Sequence, residues 1–195
     1  MGKKGALDRL NARMARQCTC TLRAQATQAV PGEGSASADI LFIGEAPGKK
    51  EDASGRPFVG AAGKFLDEML ASIRLKREDI YITNIVKYRP PDNRDPSIEE
   101  IAACQEWLSE QIKIIQPKII VTLGRHALEH FIPGKKISEV HGQAFHRTLP
   151  AIGTQLFFAL YHPAAALYNG SMRTTLLEDF KKIPQVLKKI KNRLP

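Results

Sequence analysis

Cysteine is scarce in this sequence: Cys18, Cys20 and Cys104 are the three in 195 residues. An odd number does not build the paired framework of a small secreted protein. Long apolar runs are missing too, and none approaches the ~18 residues of a membrane span. The start, Met1-Gly2-Lys3-Lys4, is basic, but Ala6-Leu7-Asp8-Arg9 stands where a signal peptide would carry its apolar core. Ala6 also takes the Ser or Thr position of the myristoylation pattern. These absences lead us to expect a cytoplasmic chain. There is no G-x-G-x-x-G and no Walker lysine loop, which excludes the usual phosphate cradles. There is no internal repeat and no low-complexity segment, and the single tryptophan, Trp107, reads as packing.

Acidic residues are in deficit. Twenty Asp and Glu face 29 Lys and Arg, for a net charge of +9. Such a surplus suits a polyanionic partner. The basic residues are spread along the chain with no paired hydrophobic anchor, which favours nucleic acid over a membrane surface. A chain of this length, 43% hydrophobic and 25% charged, buries an ordinary core and is not disordered.

The whole chain, 1–195, reads as one domain, with a basic helix or arm and connector over 1–37 and a core over 38–195. Ile40-Leu41-Phe42-Ile43, ended by Gly44, is a short apolar run that fits a buried strand. The β-branched stretch Ile80 to Val86 predicts a second, Ile119 to Leu123 a third, and Leu156 to Leu160 a fourth. Leu66, Met69, Leu70 and Ile73 repeat at helical spacing. So do Ile101, Cys104, Leu108, Ile112 and Ile115, after the start signal Asp95-Pro96-Ser97. Leu176 to Ile190 predicts an amphipathic C-terminal helix that Pro184 kinks or divides. Strands that are apolar throughout and alternate with helices predict a parallel sheet covered on both faces, an α/β fold.

In such sheets ligands bind beyond the carboxyl ends of the strands. The residues there are Gly44-Glu45-Ala46-Pro47-Gly48, Asn84, Gly124-Arg125 and Tyr161-His162-Pro163. Glu45, Glu51 and Asp52 follow the first strand and would repel a phosphate. Carboxylates, an amide, a histidine and a nearby Phe58 suit a neutral, planar, hydrogen-bonding ligand such as a nucleobase. His126, His130, His141 and His146 have no such setting and read as structural or solvent-facing.

These segments resemble the motifs of family 4 uracil-DNA glycosylases. Gly44-Glu45-Ala46-Pro47-Gly48-x-x-Glu51-Asp52, continuing to Gly55-Arg56-Pro57-Phe58-Val59-Gly60, is similar to the first. Tyr81 to Pro91, with Asn93, Arg94 and Pro96, is similar to the second. Thr122-Leu123-Gly124-Arg125 and Tyr161-His162-Pro163-Ala164-Ala165 are similar to the later ones, in the same order. The resemblance implies a three-layer α/β/α fold around a central four-stranded parallel sheet, and hydrolytic removal of uracil from DNA. It gives Glu45 and His162 catalytic roles and puts Ala46, Glu51, Phe58 and Asn84 at the base. Asn84 would read the uracil edge, Phe58 would stack on it, and His162 would donate to O2 of the departing anion. Glu51 would lie near C5, while Glu45 would orient water or stabilise charge on the sugar. Ala46 stands where the best-known glycosylases have Asp, so the general base stays open. Leu167 or Tyr168 would wedge into the duplex. Charge nominates Lys49, Lys87, Arg89, Arg125 and Arg173 as phosphate contacts. The rival readings are another damaged base as substrate, or a non-catalytic DNA binder.

The resemblance also implies a [4Fe–4S] cluster on four cysteines, and there the sequence departs from it. Cys20 fits the second ligand and Cys104 the fourth, but Gln17 and Tyr88 stand at the first and third, with Cys18 one position from the first. Loss of the cluster is the favoured expectation. A cluster on Cys18, Cys20 and Cys104, or zinc with a non-cysteine fourth ligand, are the alternatives. We expect a monomer that acts on uracil-containing DNA.

Overall fold

The computed structural model describes residues 2–150 and 152–191, so the expected core of 38–195 runs past the described residues at 192–195. In chain order the strands are β1 (Glu33–Gly34), β2 (Ile40–Gly44), β3 (Tyr81–Asn84), β4 (Ile119–Leu123), β5 (Ala144–Leu149) and β6 (Gly153–Leu160). The helices are α1 (Lys3–Gln17), α2 (Lys49–Ser54), α3 (Ala61–Ser72), α4 (Ile98–Ile115), α5 (Arg125–Phe131), α6 (Ile137–Val140), α7 (Ala165–Tyr168), α8 (Gly170–Phe180) and α9 (Ile183–Lys191).

One sheet runs β1-β3-β2-β4-β6-β5. The four apolar runs form its parallel centre, β3-β2-β4-β6. The expected four-stranded sheet therefore gains an antiparallel strand at each edge, β1 and β5. Neither edge strand carries an apolar run. β1 is two residues of the turn-rich connector, and β5 is mostly exposed and holds His146 and Arg147. Short or charged edges are how sheets avoid pairing with other chains.

Alternate residues of the central strands enter two separate cores, as the twofold period of a strand requires. Leu41, Ile43, Ile120 and Phe157 pack with Leu10 and Met14 of α1, Leu108 and Ile112 of α4 and Leu128 of α5. Ile40, Phe42, Val121 and Phe158 pack on the other face with Leu66 and Met69 of α3 and Leu176 and Phe180 of α8. Each such side chain contributes roughly 1.5–3 kcal/mol by leaving water. The N-terminal segment is thus part of the first core, and Lys3 Nζ donates to Ile115 O at 2.9 Å, at the far end of α4.

The start signal of α4 is a capping box. Ser97 Oγ accepts from Glu100 N at 3.3 Å, and Glu100 Oε2 accepts from Ser97 N at 2.8 Å. The C-terminal helix is divided rather than kinked. Lys181 and Lys182 separate α8 from α9, and Pro184 sits in the first turn of α9, where no intrahelical N–H is needed. Among the described residues no helix is long and apolar enough to cross a membrane.

Candidate active site

The loops after β2, β3 and β6 surround an open cleft of about 520 Å³. Glu45, Ala46, Glu51, Phe58, Asn84 and His162 all line it. A groove of similar volume, about 510 Å³, runs along α1 beside Arg9, Arg13 and Arg16 and contains none of these candidates.

Asn84 and Phe58 meet over Gly44. A Cβ there would lie 2.5 Å from Asn84 Oδ1 and 2.7 Å from Phe58 Cζ, so only glycine lets both side chains approach the end of β2. Asn84 Oδ1 is buried and has no hydrogen-bond partner. A buried orphan acceptor costs free energy and calls for a reason, which a polar ligand in the cleft supplies. Phe58 is 6% exposed and has φ +53°, the left-handed region that a phenylalanine rarely adopts. Its loop is pinned from two sides. Glu51 Oε1 accepts from Val59 N and Gly60 N, each at 2.8 Å. Arg77 donates to Pro57 O at 3.0 Å and also to Phe58 O, while pairing with Asp67 at 2.6 Å.

His162 faces Phe58 across 5.6 Å between ring centroids, with 28° between the planes. Ala164 N donates to its Nδ1 at 3.1 Å, which leaves the ring proton on Nε2. Burial pushes the His162 pKa down to about 4, against a weaker upward pull from Glu51. The imidazole is therefore neutral at pH 7 and still a donor through Nε2–H.

Glu45 sits in a cluster that includes a histidine read as structural from the sequence. His126 Nε2 is 3.7 Å from Glu45 Oε2 and 3.2 Å from an oxygen of Asp95. Burial raises the Glu45 pKa; His126 lowers it, Asp95 raises it and Arg125 lowers it, in falling order. Two carboxylates and an imidazole with ligand atoms within 4.8 Å of one another can hold a cation in principle. Here Arg125 already supplies one. Its Nε donates to His126 Nε2 at 2.9 Å and its terminal nitrogen lies 3.3 Å from Asp95. The signal for His126 was in the sequence, because it follows Gly124-Arg125 at the carboxyl end of β4.

Leu167 and Tyr168, on α7 at the cleft, are 49% and 89% exposed, unusual for large apolar side chains. Lys49 is exposed at the start of α2, and Arg89 bonds Asn93 Oδ1 at 2.8 Å. Arg173 pairs with Glu68 and covers the Phe65 ring at 4.5 Å. Lys87 corrects the expectation drawn from charge. It has no exposed surface, and its Nζ is fully engaged inside the protein, so it cannot touch a phosphate. Burial pulls its pKa down, to about 7, while the three acceptors around Nζ match the three N–H groups of the protonated form.

Cys18, Cys20 and Cys104 are buried together with Tyr88. The neighbouring Cys104 lowers the Cys18 pKa to about 6 and lowers that of Cys20, against burial, while Cys18, Cys20 and burial together raise that of Cys104. Cys18 and Cys20 also reach the carbonyls of Ala103 and Glu100 at 3.8 and 3.7 Å. At the two changed positions, Gln17 is exposed, and the Tyr88 ring is 2% exposed with its hydroxyl 3.5 Å from Met14 O. Burial raises the phenol to about 12, so it is a neutral hydroxyl at pH 7. Three thiols and a phenol do not fit a cluster held by four thiolates.

Comparison with known proteins identifies the family. The sequence model of the Uracil DNA glycosylase superfamily matches residues 31–188. A type-4 uracil-DNA glycosylase of Sulfurisphaera tokodaii is 49% identical over 176 residues, covering 86% of this chain and 78% of that one. Those of Archaeoglobus fulgidus and Thermotoga maritima are 47% and 44% identical, over 86% and 89% of this chain and 86% and 91% of theirs. The chain belongs to the uracil-DNA glycosylase superfamily, in its type-4 branch.

Proposed function

We propose that this protein hydrolyses the N-glycosidic bond of uracil in DNA and leaves an abasic site, as the first step of base excision repair. The observation that carries the reading is the orphan Asn84 Oδ1, buried beside Phe58 in a cleft that also holds a neutral His162. The names and coverage of the relatives support it. The base must leave the stack, at a cost of a few kcal/mol. Leu167 and Tyr168 fill the gap it leaves. Phe58 stacks on the base, the Asn84 amide accepts and donates along its edge, Glu51 stands on the C5 side, and the backbone at Ala46 closes the pocket. As the bond to C1′ breaks, the electron pair stays on uracil. The Nε2–H of His162 donates to the developing O2 anion without giving up its proton, an electrostatic contribution of the oxyanion-hole kind. Glu45 orients the water that attacks C1′ or stabilises positive charge on the sugar. Lys49, Arg89, Arg125 and Arg173 hold phosphates.

The protein works without an iron–sulfur cluster, as a cytoplasmic monomer. Iron and sulfide analysis tests the first point and size-exclusion chromatography the monomeric state. The function itself is tested with a labelled oligonucleotide carrying one uracil, single-stranded or opposite G or A, beside the same strand with thymine. Alkaline cleavage at uracil alone is expected. Intact DNA after incubation with folded, DNA-bound protein would overturn the reading.

A further inference from the structure

A lysine with no exposed surface is costly to keep, because its charged end is cut off from water. Lys87 is held by three acceptors. Its Nζ donates to Thr83 Oγ1 at 2.6 Å, to Asn84 O at 2.8 Å and to Gln111 Oε1 at 2.8 Å. Those three match the three N–H groups of an ammonium, and none is a carboxylate. The acceptors are anchored in turn. Thr83 Oγ1 donates to Pro31 O at 2.7 Å, and Gln111 Nε2 donates to the same carbonyl at 2.9 Å and to Asn11 Oδ1 at 3.1 Å. The ammonium thus ties the end of β3 to α4, the connector and α1. Its arm on Asn84 O ends on the residue whose side-chain oxygen is buried in the cleft without a partner. A methionine would fill similar volume without the desolvation cost, so packing alone does not account for a lysine.

We propose that Lys87 is a positioning residue for Asn84: its buried ammonium fixes the Asn84 peptide, and so sets the angle at which the side-chain amide meets the base. The inference rests on the reading of Asn84 as the residue that binds uracil. Charge-assisted hydrogen bonds are the strong ones, and a peptide held this way is preorganised before substrate arrives.

The test is a double-mutant cycle on the full chain with Lys87→Met and Asn84→Ala, read by inhibition with free uracil and by single-turnover excision. Lys87→Met weakens uracil inhibition and slows excision roughly tenfold to a hundredfold, the range of one lost hydrogen bond to a charged group. Binding to a duplex with a tetrahydrofuran abasic analogue changes less than about twofold, which a collapsed site would not allow. In the Asn84→Ala background Lys87→Met adds less than about twofold, because the residue it acts through is gone. A full additional loss in that background, or wild-type excision by Lys87→Met, overturns the inference. Asn84→Ala that binds and excises uracil like the parent instead overturns the reading of the pocket. If Lys87→Met does not fold, Thr83→Val and Gln111→Leu each remove one acceptor and enter the same cycle. Losses additive with Asn84→Ala then overturn the inference.

Discussion

Lys87 lies between two sites that differ in how many of the family's residues they keep. On one side is the cleft with Asn84, Phe58 and His162; on the other are Cys18, Cys20, Cys104 and Tyr88. The lysine Nζ holds Asn84 O on the cleft side, and the next residue, Tyr88, is buried in the core that holds the three thiols. In the cleft every residue that the family resemblance nominates is present and gathered in one place. In the thiol site two of four expected positions are changed, yet the site is buried and the Cys18 and Cys20 thiols reach the carbonyls of Ala103 and Glu100. The difference teaches what each site has to supply. A base pocket needs particular atoms at particular angles, so few substitutions preserve it. Where α1, α4 and the segment after β3 meet, the Tyr88 ring fills space beside the three cysteines, and filling space is a demand that many side chains can meet.

The largest expected effect is on the cleft side. His162→Ala removes the donor aimed at the leaving base and slows excision roughly 10²–10³-fold, with DNA binding largely kept. Single-turnover rates and a binding assay on the same uracil oligonucleotide check it, and an unchanged rate takes His162 out of the mechanism. Gly44→Ala comes next. Its methyl group would sit 2.5 Å from Asn84 Oδ1 and 2.7 Å from Phe58 Cζ, so one or both must move. Misplacing substrate-reading groups by about an ångström costs on the order of 10²-fold, and overpacking costs about 1–3 kcal/mol of stability. Rate and urea midpoint measured together show whether the cleft is as intolerant as the comparison requires.

How much of this was legible in the sequence follows from what each residue has to do alone. The four central strands could be read because burial on both faces leaves only apolar residues in them. The edges could not, since β5 is mostly exposed and β1 is two residues of a turn. Glu45, Asn84 and His162 stand out in the sequence because they lie at the ends of apolar runs, where a parallel sheet opens. His126 was passed over although it follows β4 in the same way; its meaning comes from Glu45 and Asp95, which different elements bring to it. Lys87 was misassigned because charge in a basic protein reads as surface. Burial of its whole side chain is settled by Thr83, Asn84 and Gln111, and Gln111 is far away in sequence.

A smaller effect separates the two sites by pH. Glu45 is raised by burial and faces His126, Asp95 and Arg125. If ionised Glu45 is needed, the rate falls on the acid side with an apparent pKa above the ordinary carboxylate range. His126→Gln removes one of the two groups that lower the Glu45 pKa, so the limb moves to higher pH; Asp95→Asn removes one that raises it, so the limb moves to lower pH. His162 adds no limb near 6.5, because its pKa lies at about 4. For stability the sign is the opposite of a stabilised imidazolium. With the folded pKa below the unfolded one, the unfolded chain binds the extra proton between about 6.5 and 4, and stability falls as pH falls through that window. Limbs that stay fixed in both variants would remove Glu45 from the rate.

The smallest expected effect belongs to Tyr88. Its hydroxyl makes one long contact, 3.5 Å to Met14 O, while its ring is buried among the thiols. Tyr88→Phe keeps the ring and removes the hydroxyl, so stability changes by about 0.5 kcal/mol or less and excision is unchanged. The outcome bears on the thiol site as a whole. A phenol that served as a fourth ligand to a bound metal could not be dispensed with. Its loss would lower metal content and, because metal binding couples to folding, would cost stability well beyond one weak hydrogen bond. Thermal unfolding of both proteins, with metal analysis alongside, decides between a packed remnant and a working ligand. A large drop in melting temperature together with lost metal would place the two halves of the molecule under the same constraint after all.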